Sequence, residues 1–421
     1  MGIPVLSSTH INYGNSSGSV RDFMQFGELD QDKFIRNLPN RAHVNTEFQL
    51  NLISFGFASK GAFWSFAITD KLDIAVFAPK PLIEIILKGN SPYEGRAADL
   101  SGLSVFSSYY REYSAGWAKK ISNEMYIGFH GKLLFGKANV VTRKSGNSLF
   151  TEPTTFDLDL QSTFKFNTSL PFTYDISPEG ALQGATFNSS VPEVLLNRKN
   201  IGLAVDAGFI NKSSEDITWA GSVLDLGVVY WRDNPYNYSH SGMFRYDGPL
   251  GDTLVDEDYA DRLYNDAISN FNVNWTNKSY LSFLAPRFYL GFQKNLSRVF
   301  SWSLTGTAKL YRYKVIPGLS AGLDANISKS IVCTASFSYL NRSFKNVGLG
   351  LVLGNNPFQF YVITDNVFGL IYPLRYRTIN LRTGFILKFG CNRKSKIDNC
   401  GCEWLRQSEE RELRKQRLLH Q

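Results

Sequence analysis

The sequence predicts an all-β protein: an antiparallel transmembrane β-barrel of about 14 strands, with short plug or loop helices and a charged C-terminal tail. Three observations predict it. Apolar and polar residues alternate with period two along most of the chain, the mark of strands with one oily and one wet face. Several of these runs reach the roughly 9–11 residues that a strand needs to cross a bilayer at about 45°, against a mode of about 5–6 in soluble sheets. Aromatics make up 14% of the chain, with 32 Phe and 21 Tyr, while charged residues stand at 19%. That charged share is below the roughly 25% of an average soluble domain.

Taken in order, the elements are these. PKPLIEIILKGN (79–90) reads as a short helix with Pro at its start and Gly near its end. MYIGFHGKLLF sets Met125, Ile127, Phe129, Leu133 and Phe135 against Tyr126, Gly128, His130 and Lys132. RKSGNS (143–148) reads as a turn. TFDLDLQSTFKFN then places Phe156, Leu158, Leu160, Phe164 and Phe166 on one face and Asp157, Asp159, Gln161, Thr163 and Lys165 on the other, a wall strand with a lipid-facing stripe and lumen-facing charges. IGLAVDAGF repeats the pattern, and NKSSED (211–216) turns the chain. DEDYADRLYNDAISNF (256–271) is an amphipathic helix with acids in its first turn, where the helix dipole favours them. FSWSLTGTAKLY (300–311), IVCTASFSYL (331–340) and TINLRTGFILKFG (378–390) resume the strands, with LGNNP (353–357) as a further turn. After Gly390 the alternation stops. Residues 1–390 are therefore read as the barrel and 391–421 as a basic, cysteine-containing helical tail on the periplasmic side.

Composition also excludes. The net charge of +8 is scattered rather than gathered into a stripe, so nucleic acid is not the partner. Cys333, Cys391, Cys400 and Cys402 are too sparse for a disulfide scaffold, and the C-x8-C-x-C spacing of the last three does not match zinc modules. No run of 18 apolar residues makes a membrane helix. MGIPVLSSTH lacks the form of a signal peptide, so either the protein is cytosolic or its true start lies upstream of Met1.

GIPVLSS near the start, NLISFGF (51–57), KGN (88–90), ADLSGLSV (98–105), YREYSAGWAKKI (110–121) and YVITDN (361–366) together resemble a domain-of-unknown-function family of outer-membrane barrels from Bacteroidota. That family is similar to the long-chain fatty-acid transporter-like (FadL-like) barrels and to PorV-type components of the type nine secretion system. The resemblance implies an outer-membrane location and a hydrophobic or amphiphilic ligand. It supplies no site residues.

No catalytic constellation emerges. The five histidines are far apart and none stands in an H-E-x-x-H setting, so neither a metal nor another cofactor is expected. The residues singled out as ligand- or lumen-lining are Asp157, Asp159, His130, Lys132 and Arg382. Asp157 and Asp159, two apart on one face, could pair as carboxylates or hold a cation, but balancing lumenal cations such as Arg382 is the simpler reading. His130 beside Lys132 reads as a structural polar residue, because no partner for a base can be named. The leading expectation is a non-enzymatic barrel that passes or holds a hydrophobic or amphiphilic ligand in the lipid bilayer. The alternative is a scaffold subunit of an outer-membrane assembly, with Cys391 to Gln421 docking a protein partner. A barrel enzyme ranks below both for want of a nucleophile or an acid and base.

Overall fold

The chain starts into its wall with β1 (Ser8–Asn15), followed by a short ladder of β2 (Met24–Gln25) and β3 (Glu28–Leu29) and helix α1 (Gln31–Asn37). The computed structural model describes residues 7–19, 24–25, 28–214, 216–248, 259–312, 314–328, 330–355 and 357–389. Strands β4 (Arg41–Ser59) and β5 (Ala62–Pro79) form a hairpin. Its two turn residues, Lys60 and Gly61, have φ of 49° and 75°, the left-handed pair that matches strand twist. Helix α2 (Lys80–Lys88), with Pro at its start and Gly89 at its end, lies within the sequence-read helix and leads to β6 (Ala97–Asp99) and β7 (Ser104–Lys120).

The next strand, β8, runs unbroken over 27 residues (Met125–Thr151) and is shared between two structures. RKSGNS, read as a turn, lies inside it. The lower half of β8 pairs with β12 (Asn200–Lys212) and the upper half with β9 (Leu158–Ser169). Between them come the hairpin β10 (Phe172–Ile176) and β11 (Leu182–Phe187) and helix α3 (Val191–Leu196). After β13 (Ile217–Trp231) the chain leaves through β14 (Pro235–Tyr246), α4 (Tyr259–Asn270) and β15 (Phe271–Thr276), and returns along β16 (Tyr280–Phe283). Six strands follow in order: β17 (Arg287–Asn295), β18 (Phe300–Tyr311), β19 (Lys314–Ser328), β20 (Ile331–Leu340), β21 (Ser343–Asn355) and β22 (Phe358–Thr364). Helix α5 (Val367–Ile371) and the last strand, β23 (Thr378–Leu387), complete the fold.

Fourteen of these strands close a ring in the order β1-β4-β5-β7-β8-β12-β13-β17-β18-β19-β20-β21-β22-β23, with β23 pairing antiparallel to β1. The register of that closure sets Arg382 opposite His10. A closed ring leaves no edge strand. One end of the ring carries only short turns, and the other carries the long connections, including those with α1, α2, α3, α4 and α5. The outward face is apolar: Leu203 is 65% exposed, Leu290 59% and Leu226 55%. The inward face carries the buried charges described below.

Here the sequence reading needs correction. Strand β9, the TFDLDLQSTFKFN segment, is not a wall strand. It pairs with the upper half of β8 and with β14, which pairs with β15, to make a flap outside the ring. Phe156 precedes the strand, with a φ of 63°. The oily face of β9 packs into a satellite aromatic cluster: Phe166 lies 5.0 Å from Tyr238 and 6.1 Å from Trp275, and Phe164 stacks on His240. Helices α2 and α4 sit in the long connections and are loop helices. The expected tail, with Cys391, Cys400 and Cys402, lies outside the described residues.

Candidate functional site: the lumen and its ion-pair belt

Alternation sends every second side chain of the ring inward, so charges spaced two apart on a strand share the lumen. On β5 these are Lys71 and Asp73; Glu47 comes from β4, Glu112 from β7, Lys132 from β8, Asp206 from β12, Arg287 from β17 and Lys309 from β18. Asp225 joins them by a different device. The β12–β13 register shifts around Asp206, and Asp225 in the bulge adopts a φ of 59°, which turns its carboxylate into the lumen beside Leu224. The Asp225 amide donates to Asp206 Oδ1 at 2.7 Å, fixing the bulge.

Together these groups make one connected belt across the barrel. Lys71 Nζ lies 2.8 Å from Glu112 and 2.9 Å from Asp225. Lys132 Nζ lies 2.7 Å from both Asp206 and Asp225, and 3.4 Å from Glu112. Arg287 bridges Asp225 at 3.3 Å and Glu47 at 3.2 Å. Lys309 closes the chain with Glu47 at 2.8 Å and Asp73 at 2.6 Å, and the Tyr311 hydroxyl donates to Asp73 at 2.6 Å. Charges taken out of water this far persist only because each has several partners, so losing one strands the rest.

On the loop side of the belt the lumen is filled by apolar side chains. Tyr110, Leu134, Val141, Val229, Trp231, Tyr280 and Leu284 form one buried cluster, with Trp231 Nε1 donating to Ser282 Oγ at 2.7 Å. Open space lies elsewhere, in three cavities that share lining residues. The first, about 650 Å³ near the turn end, is lined by Phe63, Ala118, Tyr126, Gly208 and Ala220, with His130 and Asp206 at its inner limit. The second, about 640 Å³, lies along the belt at Thr69, Lys71, Lys132, Asp225 and Arg382. The third, about 330 Å³, is mixed, with His10, Asn45, Asn341 and Arg382 facing Ile316, Pro317 and Leu340. Tyr289 lines all three. The turn-end chamber is thus mainly apolar, and the cavity beside it along the belt is polar.

The residues singled out from sequence fall in two places. His130, Lys132 and Arg382 face the interior. His130, with no partner nameable from sequence, has Ser65 Oγ at 3.2 Å from Nε2 and Asp206 Oδ2 at 3.8 Å from Nδ1. Asp157 and Asp159 do not line the lumen: they flank Arg245 on the flap, at 2.6 Å and 3.9 Å. Sequence reasoning passed over Glu47, Asp73, Glu112, Asp225 and Arg287. The signal for one pair was present, since Lys71 and Asp73 interrupt one face of an otherwise apolar run. Asp225 left no such signal, because the bulge that re-aims it breaks the alternation. Among the described residues no group of three or more His, Cys, Asp and Glu could hold a metal ion.

A match to the family's sequence profile now fixes the lineage. The chain belongs to the family of unknown function DUF5723, which matches residues 1–365. A comparison with the curated proteins found no match. Among solved structures, the toluene transporter TbuX of Ralstonia pickettii is similar at 7% identity, covering 90% of this chain and 89% of that one, with a TM-score of 0.38. The toluene transporter TodX of Pseudomonas putida is similar at 7% identity, over 91% and 88% of the two chains, with a TM-score of 0.34. A FadL homologue of Pseudomonas aeruginosa matches at 9% identity, over 90% and 88%, with a TM-score of 0.37. These superpositions are loose, and the ring's own hydrogen-bonded register carries the fold.

Proposed function

We propose that this DUF5723 protein is a non-enzymatic outer-membrane barrel whose lumen holds or passes an amphiphilic ligand. Two features support the bilayer. A closed ring wrapped in exposed apolar side chains is an aggregation surface in water and a stable one in lipid. One end carries only short turns and all the long connections lie at the other, as periplasmic turns and extracellular loops do in outer-membrane barrels.

The observation that carries the ligand class is an apolar chamber set against the charged belt cavity, the two sharing His130, Asp206 and Tyr289 in their walls. An apolar tail fits the chamber walled by Phe63, Ala118, Gly208 and Ala220, and a polar head meets His130, Lys132 and, further along, Arg382. The chamber size is within the roughly 300–1,000 Å³ of small-molecule sites. The ion-pair belt then acts as a constriction that polar groups can cross and bulk apolar solutes cannot.

The test is titration of the purified full chain in detergent with an environment-sensitive naphthylamine probe, displaced by long-chain amphiphiles. Ala118→Trp should fill the apolar chamber and weaken probe binding by about tenfold, roughly 1.4 kcal/mol. Unchanged binding in a variant with normal heat-modifiable migration would refute the lumenal site.

A further inference from the structure

A fourth cavity, about 700 Å³, lies outside the ring at the loop end, between Lys137 of β8, the start of β10, α3 and the segments 197–199 and 233–234. One side of it is apolar, from Leu170, Phe172, Val194 and Leu196. Into the other side comes Lys137, placed where the β7–β8 register shifts between Tyr109 and Tyr110. Lys137 is 4% exposed, and its ammonium donates to the Asn197 carbonyl.

The nearby carboxylates are engaged elsewhere. Asp70 is held by Arg111 through two hydrogen bonds of 2.7 and 2.8 Å, Asp233 by Lys199 at 2.8 Å and Asn197 at 2.7 Å, and Glu193 by the Ser190 amide at 2.7 Å. Among the described residues, neither Lys137 nor Arg198, which also lines the cavity, has a carboxylate within ion-pair distance. A buried ammonium without a counter-ion is costly, and a second unpaired cation beside it raises that cost. An anion in the cavity would remove it.

The position of the cavity narrows the kind of anion. Lys137 follows Phe135, which pairs with Ile201, an exposed residue of the outer apolar face. Val191 and Leu196 of α3 are exposed apolar residues at the same rim. The cavity therefore stands where the apolar face ends, with an oily side toward the bilayer and cations above it, the arrangement that suits an interfacial headgroup.

We propose that this rim pocket binds the phosphate-bearing headgroup of a membrane lipid, with Lys137 and Arg198 as its anion contacts. The proposal rests on the bilayer placement above but not on the lumenal ligand, so lipid retention and probe titration fail independently. The full chain is reconstituted in phosphatidylcholine nanodiscs, with and without a phosphorylated disaccharide lipid, and retained lipid is counted by mass spectrometry after mild detergent extraction. Wild type should retain the phosphorylated lipid and not its dephosphorylated form. Lys137→Met combined with Arg198→Ala should lower retention by about tenfold, as expected for losing charge-assisted hydrogen bonds. Lys294→Ala, which removes an exposed cation of β17 outside the cavity, should leave it unchanged. Competition by inorganic phosphate would support the anion contacts and assign them to free phosphate, whereas resistance to it would support the lipid. Equal retention by the double variant with normal heat-modifiable migration, or an equal loss in Lys294→Ala, would overturn the proposal.

Discussion

Strands β9 and β18 are both twelve residues long and both alternate apolar with polar, yet one stands in a flap and the other in the barrel wall. In β18 the oily face is bare: Phe300 is 47% exposed and Leu304 40%. In β9 the oily face is half-buried under the aromatic side chains of β14 and β15. The wet faces differ as well. Lys309 of β18 is buried between Glu47 and Asp73, whereas Asp157 and Asp159, at the head of β9, meet an Arg245 side chain that is 60% exposed. Length and alternation fix that a segment is an amphipathic strand; the neighbours it pairs with decide what each face touches.

The strongest way to probe this difference is to strike the belt. Asp225→Asn removes the carboxylate that faces Lys71, Lys132 and Arg287, and should destabilise the barrel by about 3–5 kcal/mol, because buried cations are left uncompensated. Urea unfolding in detergent or liposomes reads it, and a loss below about 1 kcal/mol, the range of an exposed pair, would mean the belt is hydrated rather than dry.

The next contrast sets matched substitutions on the two oily faces. Leu304→Arg should cost about 2–4 kcal/mol if Leu304 lies at the bilayer midplane, falling toward the interfaces. Leu160→Arg, opposite Phe244 and Leu149, should leave folding of the ring unchanged and open only the flap, seen as new protease cleavage in the β9–β14 region. Equal losses of ring stability in both variants would return β9 to the wall.

The smallest effect concerns pH. The hydrogen bond from Arg245 holds the Asp157 carboxyl below its ordinary 3.8. A depressed carboxyl contributes its stability above the unfolded value and loses it as pH falls through the lower folded value. Tethering of β9 to β14 should therefore persist through pH 3.8 and weaken only below it. Arg245→Gln should remove that acid dependence of flap proteolysis while leaving urea unfolding of the ring unchanged.

Much of the fold was legible. The helices at 80–88 and 259–270 fall within the ranges read from Pro, Gly and acid placement. Strands β12, β18, β20 and β23 follow the quoted alternations, with Leu203, Leu304, Phe337 and Phe385 on the outer face. The turn at 143–148 misled because Gly and Asn can also sit in a long twisted strand, here the stretch of β8 that leaves the ring. The site was legible only in part. His130, Lys132 and Arg382 were placed on inward faces by parity alone, but their partners come from strands far away in the chain.

The sequence by itself determined the amphipathic strands, their apolar faces and tight turns such as Lys60–Gly61, because these depend on side-chain alternation and on φ preferences within a few residues. Only the tertiary structure decided which strands close the ring, how β8 is divided between wall and flap, and which charges meet. Pairing β1 with β23 sets the register around the whole barrel, and that register brings Glu47 to Lys309 and Lys71 to Asp225. A charge on an alternating strand announces that it faces inward; its partner across the lumen is set by closure, a property of all fourteen strands together.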